Sequence, residues 1–134
     1  MAETNRSIHA AVLKYEVRQF LANEKELPVC VSSLDPSLDD ASFREMREHF
    51  ASNGVAIWRA DQCDLTSEDV LLASSRRAAA LVQSGPVEHV GADEAHVRGG
   101  FRRQGRTLTR PTYRVVREAG RWVCLGPIIT GVPL

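Results

Sequence analysis

Apolar residues recur every three to four positions near the start of the chain and every second position in its last third, so the hydrophobic period changes along the sequence. Over residues 5–23, Leu13, Val17, Phe20 and Leu21 follow i, i+4, i+7, i+8, and Ile8 and Val12 extend the stripe. That spacing predicts a helix with Glu16, Arg18 and Gln19 on its polar side, His9 exposed, and Asn5 or Ser7 at its cap. Pro28 breaks it, and the β-branched run 27–32 predicts a strand. Asp35-Pro36-Ser37 is turn chemistry. Asp39 or Asp40 then caps a second helix over 41–52, with Phe43, Met46 and Phe50 on one face and Gly54 as its stop.

A second strand is expected at 55–58, followed by a polar loop over 61–69. Residues 78–90 predict one bent strand or two short ones, broken at Gly85-Pro86, and 92–101 predict another. Gly99-Gly100 permits a bulge or a close backbone approach. A basic loop follows at 102–110. Strands at 112–116 and 122–125 form a hairpin through Glu118-Ala119-Gly120, with Gly120 suited to positive φ. The order predicts one α+β domain over residues 1–134, a curved antiparallel sheet with two helices packed on one face. The tail 127–134 is apolar for a terminus, so it either finishes a strand or covers a neighbouring subunit in a homodimer.

Composition narrows the function classes. With 43% hydrophobic and 25% charged residues in 134, the chain is too apolar for disorder and sized for one core. No apolar run approaches the ~20 residues of a membrane span. The first residues carry no basic and apolar leader pattern, which favours the cytoplasm unless a signal peptide has been removed.

The formal net charge of zero conceals a polarity. Residues 98–121 hold eight arginines and one acid, whereas residues 1–97 carry a net charge of −7. Arg98, Arg102, Arg103, Arg106, Arg110 and Arg114 are therefore candidates for contacting an acidic protein surface or a small anion, through planar bidentate pairing. The competing explanation is a set of solvated faces and loops, with some arginines paired to acids of the first half. Nucleic acid is disfavoured, because aromatics make up only 6% of the chain and serve core packing by default.

Of the three cysteines, Cys30 and Cys63 suit a disulfide if the protein is exported, and three reduced thiols suit the cytoplasm. The odd count and the missing leader favour the reduced form. No nucleophile, phosphate-loop or metal-ligand motif stands out, so no catalytic residue, metal or cofactor is assigned. His89, Glu94 and His96, joined by Tyr113, are the candidates for a pocket between the first helix and the sheet. A polar strand face accounts for the same residues without chemistry.

The second half also carries a resemblance. Glu94-Ala95-His96-Val97-Arg98-Gly99-Gly100, then Thr112-Tyr113-Arg114-Val115-Val116-Arg117 and Gly120-Arg121-Trp122-Val123, resemble an "EAxVxGG…TYRVVRxxGRWV" pattern. That pattern belongs to a group of short bacterial proteins without assigned function, many of them exported. The closing hairpin also resembles that of cone-shaped, nuclear-transport-factor-2-like domains. The resemblance implies a fold and no chemistry. The expected function is a small non-catalytic binding module, with a small enzyme or ligand-binding protein as the alternative.

Overall fold

The computed structural model describes residues 2–21, 27–34, 38–65, 70–102 and 109–128. Helix α1 spans Ala2–Leu21 and α2 spans Asp40–Ala51. The described residues hold, in chain order, the strands β1 (Val29–Ser33), β2 (Ile57–Arg59), β3 (Cys63–Asp64), β4 (Leu71–Leu72), β5 (Ala80–Gly91), β6 (Glu94–Arg102), β7 (Thr112–Glu118) and β8 (Arg121–Pro127). The class is α+β, as the change of period implies.

The main sheet has the order β2-β1-β5-β6-β7-β8. From β5 to β8 it is an antiparallel meander, while β1 lies parallel to both β2 and β5. The sheet is thus mixed, because helix α2 carries the chain from β1 back to β2 in the same direction. Glycine placement governs its bend. At Gly85 a side chain would meet the Arg98 carbonyl at 2.6 Å, and the β5–β6 register shifts between Ser84 and Val87. The β7–β8 turn has positive φ at Ala119 and Gly120, the two-residue geometry that matches strand twist.

Both helices pack on one face. In α2, Asp39 Oδ1 accepts a 2.8 Å hydrogen bond from Ser42 N, and Phe43, Met46 and Phe50 point inward. They meet Leu13 and Val17 of α1 and Val29, Val31, Ile57, Ala80 and Val82 of the sheet. A second cluster sits under the other half of α1, where Ile8 and Val12 pack on Ala95, Val97, Tyr113 and Val115. The side chains of Phe20 and Leu21, the turn at 35–37 and the tail beyond 128 lie outside the described residues.

The opposite face of the sheet is covered at one end. There β3, inside the segment 61–69 expected as loop, pairs with β4 just beyond it to form a small antiparallel ribbon. Val70, Leu72, Ala79 and Leu81 close a third cluster around Cys30, which is disulfide-bonded to Cys63. The expectation of reduced thiols is corrected on this point. Cys30 points to the face away from the helices, and the ribbon brings Cys63 onto it. Cys124 remains a free thiol.

Candidate functional site

Three places bring polar side chains together. The first is a seam inside the molecule. Ile8, Val12 and Glu16 occupy every fourth position of α1, so Glu16 lies on the buried stripe rather than on the polar side expected for it. Its Oε2 accepts hydrogen bonds from Tyr113 Oη and Gly100 N, both at 3.1 Å, while Oε1 is buried with no hydrogen-bond partner among the described residues. Burial pushes the Glu16 pKa up to about 8 from an ordinary 4.5, against the lowering effect of the Tyr113 hydrogen bond. Burial, with the nearby Glu16 carboxyl, also raises the Tyr113 phenol.

The glycine pair makes this arrangement possible. A Cβ on Gly99 would collide with the Tyr113 ring and stand 2.8 Å from Glu16 Oε2. His9, expected to be exposed, is fully buried two turns before Glu16 and shares a 2.5 Å hydrogen bond with Ser84 Oγ. The sequence reading missed Glu16, although its place in the 8-12-16 series was a usable signal.

The second place is the outer face of β6 and β7. Alternation along β6 puts Ala95 and Val97 inward and Glu94, His96 and Arg98 outward. Glu94 takes a bidentate pair from Arg114, with Nε and Nη2 both at 3.0 Å, and His96 Nε2 lies 3.1 Å from its Oε2. The Arg114 hydrogen bond, followed by that of His96, holds the Glu94 carboxyl below its usual range. At the end of β7, on the helix side across from its pairing partner Trp122, Arg117 donates from Nε and Nη2 to the single oxygen Asp93 Oδ1, at 2.8 and 2.5 Å, and lies 5.7 Å from the centre of the Trp122 ring.

This geometry corrects two expectations. The proposed pocket does not assemble. Tyr113 points inward to Glu16, whereas Glu94 and His96 point outward. His89 sits exposed at the end of β5, with Nε2 2.7 Å from Asn5 Oδ1. The arginine-rich surface also loses Arg114, whose fork is filled by Glu94. Arg98 and Arg110 are exposed, Arg102 is half-buried, and Arg103 and Arg106 lie outside the described residues.

The third place is a groove of about 620 Å³ between α1, α2 and the start of β8. Arg6, Ala10, Lys14 and Arg18 recur every fourth residue of α1, so they form one stripe along its floor. Arg121 and Trp122 come from β8, and Glu45 is the acid of the lining. These cations are only loosely engaged by acids. Lys14 Nζ stands 3.9 Å from Glu45, and Arg6 Nε stands 3.7 Å from Asp39. That buried Nε donates no hydrogen bond among the described residues. The stripe was legible in the sequence as Arg6, Lys14 and Arg18, cations separated by multiples of four with Ala10 between them.

Among the described residues no group of three His, Cys, Asp or Glu side chains converges as metal ligands, and no described helix is long and apolar enough to cross a membrane. In comparisons with known proteins, the chain matches no family profile, no curated protein and no solved structure.

Proposed function

We propose that the chain is a small non-catalytic binding module that captures anionic groups, with the α1–α2–β8 groove as its contact surface in place of the outer face of β6 and β7. One observation carries this reading: three cations of α1 line the groove against a single acid, and the ion pairs of Arg6 and Lys14 are long. Loosely paired guanidinium and ammonium groups keep donors for an incoming carboxylate or phosphate, whereas Arg114 has spent its fork on Glu94.

The Cys30–Cys63 bond favours export to an oxidising compartment over the cytoplasm.

The test is titration with hexaglutamate and with inorganic phosphate at low and high salt, followed by amide NMR. Groove amides shift at low salt, and the triple change Arg6→Gln, Lys14→Gln, Arg18→Gln weakens binding about tenfold or more. If neither probe moves a groove amide, or the triple variant binds as tightly, the reading is wrong.

A further inference from the structure

Strand β8 ends the main sheet, and among the described residues no strand pairs with its outer edge. Such an edge presents a row of backbone donors and acceptors able to take up one more strand. Natural sheets usually blunt it with charge, proline or a cover. Here the middle of β8 reads Trp122-Val123-Cys124-Leu125 and carries no charge. Val123 and Leu125 are 38% and 49% exposed, whereas Trp122 and Cys124 are half-buried on the helix side.

The groove lies along this edge. Its lining runs from Gly120 to Cys124 on one wall, Ser42, Glu45 and Met46 of α2 on the other, and the stripe of α1 between them. A strand added to β8 at the usual spacing of about 4.8 Å would enter it. Ala10 and Ala11 keep the middle of the floor low, with Arg6 and Lys14 a turn to either side of Ala10.

We propose that the occupant is an extended peptide of alternating acidic and aliphatic residues, which adds to β8 as a seventh strand of the main sheet. This rests on the groove reading above and names its partner. Alternation decides the sequence. Side chains on the helix side of the added strand face Arg6, Lys14 and Arg18, so they are Asp or Glu. Those on the other side lie beside Val123 and Leu125, so they are aliphatic. Charge supplies attraction and orientation, and the backbone ladder supplies length-dependent affinity. A strand of about six residues matches the length of β8.

The probe is a peptide of alternating Glu and Val. Its controls are a block arrangement of the same residues, a version N-methylated at every second amide, and hexaglutamate. Binding is read by titration, and pairing by hydrogen exchange of the β8 amides. The expected result is that the alternating peptide slows β8 exchange, and that N-methylation in the pairing register weakens it about tenfold or more through lost ladder bonds. The block arrangement is weaker as well.

If all the acidic peptides bind alike without slowing β8 exchange, the strand proposal falls and the groove reading stands. If no acidic probe binds, both fall. If the β8 amides are already protected without peptide and the particle mass is that of two chains, the edge belongs to a second copy and the proposal is overturned.

Discussion

At the scale of single residues, the decisive position is Glu16. A carboxyl whose folded pKa is about 8, against an ordinary 4.5, binds its proton more tightly in the folded chain than in the unfolded one. Its stabilising contribution is therefore complete below about pH 4.5 and declines as pH rises toward about 8, where the buried group ionises. The slope is on the order of 1 kcal/mol per pH unit within that window. Urea midpoints measured from pH 5 to 9 should fall with pH in the natural chain, and Glu16→Gln should flatten the curve. An unchanged slope in the variant would place the pH dependence elsewhere.

Gly99 belongs to the same scale, because its missing side chain is the space in which Tyr113 and Glu16 meet. Gly99→Ala should destabilise by roughly 1–3 kcal/mol through overpacking against the buried side chains of Tyr113 and Glu16. Thermal melts check this, with Gly91→Ala, which meets nothing within 4 Å, as the control.

At the scale of elements, most of the architecture could be read from the chain. The periods located both helices, and Asp39 caps α2 as its position implied, whereas α1 already begins at Ala2, so Asn5 and Ser7 lie inside it rather than at its cap. Alternation located β5 to β8, and Ala119-Gly120 fixed the closing turn. The parallel seating of β1 was not legible, since a run such as Val29-Cys30-Val31 suits either direction of pairing. The β3–β4 ribbon was missed for a related reason. Two-residue strands carry no period, and what holds them is the tertiary cluster around Cys30.

The candidate site was harder to read for a physical reason. Charge counting along the sequence cannot tell a cation that finds a close acid, such as Arg114, from one that does not, such as Lys14. The ribbon supports its own prediction. The bridged residues are 33 apart, so the cross-link should contribute roughly 3–4 kcal/mol on the chain-entropy account. Reduction should add two hydrogens to the intact mass and lower the denaturation midpoint, and Cys63→Ser should do the same to stability. A midpoint indifferent to reductant would show that the ribbon is held by packing alone.

At the scale of the whole molecule, α1 joins two apolar clusters and lines the groove with its other side. The fold that buries Ile8, Val12 and Glu16 therefore also fixes where Arg6, Lys14 and Arg18 stand. The buried hydrogen bonds that seat this helix are distant in sequence. His9 meets Ser84 across 75 positions, Glu16 meets Gly100 across 84, and Glu16 meets Tyr113 across 97. During synthesis the first helix leaves the ribosome long before the strands it needs, with a carboxyl on its apolar side that remains hydrated until they arrive. Assembly of this domain is consequently a late event. A nascent chain arrested before Tyr113 should hold α1 undocked and open to protease, and one extended past β8 should close around it.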